Sequence, residues 1–162
     1  MKSFLKYLIL LFSFLTLFAS CEKENTSTQL NPFYKLKVNG SLKNVDACGT
    51  SDHVAEYLKD TAVFAGFGCG GQRAGFYLKG QILDGTYLLN DKNNAWFDEG
   101  GVTYITDNLN TGSLVIKTGN FQAIGGLIPF IEGSFSFDAI NKTTGQKIKV
   151  TEGKYLLKKY QY

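Results

Sequence analysis

The feature that most constrains this fold is the nine-residue run Ile131-Glu132-Gly133-Ser134-Phe135-Ser136-Phe137-Asp138-Ala139. Apolar or small residues occupy every odd position and polar or acidic residues every even one. A period of two is the strand period, and a strict alternation marks a strand with one buried face and one facing water. Such strands belong to antiparallel sheets. A slip of one residue would bury Glu132 and Asp138 and expose both phenyl rings, so the register is expected to be firmly set.

The same period recurs elsewhere. Phe76, Leu78, Gly80 and Ile82 alternate with Tyr77, Lys79 and Gln81, and Tyr34, Leu36 and Val38 alternate with Lys35 and Lys37. Asn39-Gly40 follows, a pair that tolerates the positive φ of a tight hairpin. Further strands are expected at residues 61–67, 85–89, 102–106, 113–117, 146–150 and 154–160. Turns are expected at 68–71, 90–94, 107–112 and 141–145. One short helix, at most two turns, is expected at residues 51–59, capped by Ser51 or Asp52, with Val54, Tyr57 and Leu58 inward. The expected fold is all-β: an antiparallel sandwich or flattened barrel of eight or nine strands.

The N-terminus has a different character. Met1-Lys2-Ser3-Phe4-Leu5-Lys6 is cationic, the following residues to Phe18 are mostly apolar, and Ala19-Ser20 are small. This order is that of a secretory signal, and the apolar run is too short for a membrane-spanning helix. Leu17-Phe18-Ala19-Ser20-Cys21 resembles the bacterial lipobox, with Phe18 where leucine is usual. The resemblance implies cleavage before Cys21 and acylation of that residue, with palmitate or a similar chain. Each buried CH2 contributes about 0.8 kcal/mol, so two or more chains hold a protein on a bilayer.

Residues 1–20 thus read as a lipoprotein signal peptide, 21–32 as the lipidated cysteine and a flexible polar tether, and 33–162 as one β-rich domain. The acidic start of the tether, Glu22-Lys23-Glu24, resembles the surface-export signal of Bacteroidota lipoproteins. It implies an outer-membrane location, on the periplasmic face or, preferred, the cell surface.

The chain has 17 Lys+Arg against 14 Asp+Glu, a formal charge of +3. Removing Lys2 and Lys6 with the signal leaves it nearly neutral, and Lys158-Lys159 is the main basic cluster that stays. Nucleic-acid binding therefore lacks its electrostatic footprint.

Three further segments complete a second resemblance. Residues 131–139, then Asn141 and Thr144-Gly145, then Lys149-Val150-Thr151-Glu152-Gly153-Lys154-Tyr155 are similar to a family of uncharacterised Bacteroidota lipoproteins. That family shares an I-x-G-x-F-x-F-x-A strand, a T-G turn and a closing V-T-x-G-x-F/Y strand. The likeness, which extends over most of residues 33–160, implies a β-rich fold and an envelope location. It implies no catalytic residue.

Chemistry-bearing residues are few. Cys48 and Cys69 are the thiols left once Cys21 is acylated, and an oxidising compartment favours a disulfide between them over two buried thiols. The bridge would close a loop of about 22 residues, worth on the order of 3 kcal/mol in the chain-entropy picture. Two cysteines and the single His53 fall short of a zinc site, so no cofactor or metal is expected. The glycine-rich stretch at residues 66–71 is followed by a strand rather than the helix a phosphate-binding loop requires.

Residues 90–99 hold the only tryptophan. Trp96 with Asp98 or Asn94 could form a sugar-binding platform, or Trp96 and Phe97 could simply anchor a polar loop to the core. Asp60-Thr61-Ala62 resembles the Bacteroidota O-glycosylation pattern at Thr61, a match that three loosely defined positions also produce by chance. The functional expectation is a non-enzymatic binding or accessory module, tied to the membrane through Cys21, with an envelope protein or glycan as partner. Its alternatives are a carbohydrate-binding surface lipoprotein of a glycan-uptake system and a small hydrolase.

Overall fold

Residues 131–139 form the C-terminal part of the longest described strand. The computed structural model describes residues 32–44, 54–58, 61–67, 71–80, 82–123 and 126–160. These form eleven strands and no helix: β1 (Phe33–Val38), β2 (Ser41–Asn44), β3 (Val54–Leu58), β4 (Thr61–Phe67), β5 (Arg73–Lys79), β6 (Gly85–Leu89), β7 (Asn94–Glu99), β8 (Val102–Ile105), β9 (Gly112–Ala123), β10 (Gly126–Ile140) and β11 (Lys147–Tyr160).

They make one sheet in the order β2-β1-β11-β3-β4-β5-β7-β8-β10-β9-β6, with β10 also paired to β11. That extra pairing folds the sheet back over a single core. The link between β8 and β10 is one residue pair, Ile140↔Ile105, so the structure does not close into a continuous barrel. All pairings are antiparallel except β3 with β11, which runs parallel from Lys158↔Val54 to Tyr160↔Glu56.

The alternation lies where the sequence places it. On β10, Ile131, Phe135, Phe137 and Ala139 are buried while Glu132, Ser134 and Ser136 are exposed. On β1, Tyr34, Leu36 and Val38 are buried, and so are Phe76 and Leu78 on β5. Four of these side chains, Tyr34, Phe76, Phe135 and Phe137, make the centre of the core an aromatic cluster with Tyr155. Phe76 meets Phe135 edge-on at 4.7 Å between centroids, and Tyr34 lies 5.2 Å from Phe135. Edge-to-face and tilted arrangements suit the ring quadrupoles and add to what burial supplies.

The turns follow their side chains. Asn39 and Gly40 take φ of 49° and 82° between β1 and β2. The Asn39 side-chain oxygen also accepts from the Lys149 amide at 2.9 Å, which docks the hairpin on β11. Asn90, Asp107 and Asn141 each cap a turn by accepting backbone N–H groups two and three residues on, the Asx-turn role of such residues.

Three expectations need correction. Residues 54–58 are the strand β3, not a helix. Val54, Tyr57 and Leu58 have helical spacing, but a run this short is decided by its pairing with β4 and β11. The segment after Asn93 is the strand β7, not a loop: Ala95 and Phe97 point into the core, and Thr106 accepts the Ala95 amide. Residues 146–150 and 154–160 are one strand, β11, interrupted by a bulge.

Candidate functional site

The bulge on β11 lies beside an open concavity of the described surface. From Lys35 to Lys37 β1 advances by two residues while β11, from Lys154 to Thr151, covers three. The same three-residue step of β11, Gly153 to Val150, faces Phe135 to Phe137 on β10. One residue of β11 is therefore extra against both neighbours, which bends the strand and interrupts its ladder. Glu152 takes a left-handed φ of 52° there, a conformation a non-glycine residue holds at some cost.

The result is an open groove of about 650 Å³ on the outer face, within the usual size range of small-ligand sites. Lys35 and Lys37 line it from β1, Lys154 and Glu152 from β11, Ser134 and Ser136 from β10. Ser113 and Leu42 stand at its ends, and Phe135 with Gly153 contributes the floor.

Its charge is unbalanced. Glu152 is bonded to Lys37 at 2.7 Å. Lys35 and Lys154 have no ion-pair partner among the described residues, yet they face each other directly across β1 and β11. Lys35 rests its ammonium over the Phe33 ring, 5.4 Å from the centroid, which softens its charge without neutralising it. Like charges directly opposite on neighbouring strands are destabilising.

A second surface lies on the outer face of β5, β7 and β8. Because Ala95 and Phe97 are inside, Asn94, Trp96 and Asp98 share the outer face, so the structure does align the three residues singled out in the sequence. Trp96 stands between Gly75 and Ile105, and Asn94 stands opposite Tyr77. Tyr77 is 42% exposed and Trp96 half-buried.

Asp98 has another task. It faces Arg73 across the strands and binds it at 2.9 Å with only 10% of its own side chain exposed. Its other oxygen, Oδ1, is buried without a hydrogen-bond partner among the described residues. Beside it, Glu99 accepts from Lys43 at 2.6 Å and from Gln72 at 2.7 Å, and the Lys43 bond holds its carboxyl below the usual range. Asp98 is thus fixed by a structural ion pair, while Tyr77, Asn94 and the edge of Trp96 face outward.

The groove lysines and serines carried no signal in the sequence beyond lying on the polar sides of strands. Their meeting depends on the register between β1 and β11, which are far apart along the chain. The sequence singled out Trp96, Asn94 and Asp98 of the second surface and missed Tyr77, whose place beside Asn94 depends on the pairing of β5 with β7.

Cys21, Cys48, Cys69 and His53 lie outside the described residues. Thr61 opens β4 in register with Leu58 and Lys79. Among the described residues there is no group of three or more potential metal ligands and no helix long and apolar enough to cross a membrane. No protein-family model, curated protein or solved structure matches the chain.

Proposed function

We propose that this chain is a lipid-anchored, non-enzymatic binding or accessory module of the bacterial cell envelope, acting on the outer membrane and preferably at the cell surface. The groove over the β11 bulge is the observation that carries the binding role. A strained Glu152, a glycine floor and an uncompensated lysine pair are concentrated at one recess of an otherwise regular sheet. Strain and unpaired charge gathered at one recess are the usual mark of a site kept for a ligand.

The anchor rests on the signal and lipobox at residues 1–21. Labelled palmitate will be incorporated by the wild-type chain and not by Cys21→Ser. Equal labelling of both would overturn the anchoring. Proteolysis of intact cells then distinguishes the two leaflets: a surface protein is shaved and a periplasmic one is protected.

A second reading is favoured by the aligned outer face of β7. Tyr77, Trp96 and Asn94 combine aromatic surface with an amide, the combination that recognises a sugar's C–H face and its hydroxyls. Trp96 is the only tryptophan, so its fluorescence reports contact at this surface directly. A saccharide that shifts that emission, and loses affinity in Trp96→Ala, supports the carbohydrate-binding reading. Binding unaffected by Trp96→Ala sinks it.

A further inference from the structure

We propose that the groove over the β11 bulge binds the acidic group of a saccharide, a carboxylate or sulfate on a sugar ring, between the ammonium groups of Lys35 and Lys154. The proposal rests on the binding-module reading and names the ligand of that site.

The register supplies the first argument. Across the outer face, Ser134 stands opposite Lys154, and Lys154 opposite Lys35. Two lysines and a serine therefore stand side by side at register positions of three adjacent strands, on the same face. Among the described residues no carboxylate is paired with either lysine. Glu152, the acidic residue of the groove, is held by Lys37. The isolated domain thus keeps a like-charge pair it could relieve with one substitution. An anion placed between the two ammonium groups converts that repulsion into two charge-assisted contacts.

The second argument concerns what surrounds the anion. Ser113 and Ser136 face each other on β9 and β10, and both line the groove with Ser134. Hydroxyls that both donate and accept match a ligand rich in hydroxyls of its own. Leu42 is the exposed aliphatic side chain at the rim. Phe135 is the one aromatic side chain of the described lining, and it is buried in the core, so the recess offers no ready platform for unstacked bases.

The test uses the full lipidated chain in neutral detergent, with titration calorimetry against a pentameric oligogalacturonate, maltopentaose, glycerol 3-phosphate and sodium sulfate. Oligogalacturonate will bind at least tenfold more tightly than maltopentaose, and its affinity will fall as salt screens the lysines. Lys35→Gln and Lys154→Gln will each weaken it at least tenfold. Without ligand, Lys154→Gln will raise the melting temperature by about 1–4 °C, because a like-charge pair is removed. A disrupted fold would lower the melting temperature, so loss of binding in a stabilised variant cannot come from misfolding.

Absence of oligogalacturonate binding overturns the proposal, as does unchanged affinity in both glutamine variants. Equal affinity for glycerol 3-phosphate or for sulfate overturns the saccharide and leaves only an anion site. Binding of both glycans that survives the lysine variants but fails in Trp96→Ala removes the groove proposal while preserving the binding module, with its site on β7.

Discussion

Tyr155 stands directly opposite Gly133 on the neighbouring strand, and its hydroxyl passes over that glycine to donate to the Val115 carbonyl of β9 at 2.8 Å. Two residues away the arrangement is reversed, with Phe135 opposite Gly153 and its ring filling the space a side chain would need. The G-x-F of β10 and the G-x-Y of β11 are therefore one reciprocal unit. Each glycine makes room for the other strand's aromatic ring, and an aromatic opposite a glycine restores the packing the glycine lacks.

Gly133→Ala will destabilise the domain by about 3 kcal/mol, at the upper end of overpacking costs. A Cβ there would collide with the Val115 carbonyl and come within 2.8 Å of the Tyr155 hydroxyl. Gly153→Ala, which collides with the Phe135 ring, will cost a similar amount. Tyr155→Phe keeps the ring and loses one hydrogen bond, so it will cost only about 1 kcal/mol. Urea melts of the three variants test the ranking, and a neutral Gly133→Ala would refute the crossed unit.

The two faces of β10 will respond differently to truncation. Phe135→Ala and Phe137→Ala will each cost about 3–5 kcal/mol. Ser134→Ala and Ser136→Ala, on the exposed face, will change stability by less than about 0.5 kcal/mol. Equal losses on both faces would mean that the outer face of this strand is covered in the native protein.

Much of this was visible in the residues themselves. The inward faces of β1, β5 and β10 and the Asn and Asp turns are local properties, written in alternation and in side chains that bond their own backbone. What escaped depends on distant partners. Val54, Tyr57 and Leu58 are compatible with a helix until β4 and β11 are beside them. Ala95 and Phe97 alternate correctly, but the asparagines before them gave β7 the appearance of a loop. The bulge sits at Glu152, which has a left-handed φ without being the glycine or asparagine that usually signals one. Lys35 and Lys154 become neighbours only through the pairing of β1 with β11.

Alkaline pH will unfold the domain through its buried phenols. Burial pushes the Tyr34 and Tyr155 hydroxyls well above the usual tyrosine value of about 10. The unfolded chain ionises first, so the native state binds more protons above that value. Their contribution is complete below about pH 10 and is lost progressively as the pH rises toward the folded values. Denaturant melts at pH 8 and pH 11 will show the loss, and it will shrink in Tyr34→Phe and Tyr155→Phe. A midpoint equally sensitive to pH in all three proteins would assign the effect elsewhere.

Arg73→Met will cost about 1–2 kcal/mol, because it leaves the buried Asp98 carboxylate without its counter-ion. The figure is reduced from that of a fully buried pair because the guanidinium is 54% exposed. Adding Asp98→Asn will recover most of the loss. A double variant no more stable than Arg73→Met would show that the carboxylate, and not its partner, carries the stability.

The pairing of β1 with β11, from Phe33↔Leu156 to Val38↔Val150, joins the first and last strands of the described domain. A chain emerging N-terminus first must leave β1 without this neighbour until its final segment arrives. Closing so wide a loop is entropically unfavourable, and contacts so distant in sequence slow folding. The domain thus has a built-in delay: it cannot complete its core from a partial chain. Truncation within β11 therefore leaves β1 without that neighbour and the core incomplete, however well the other strands pair.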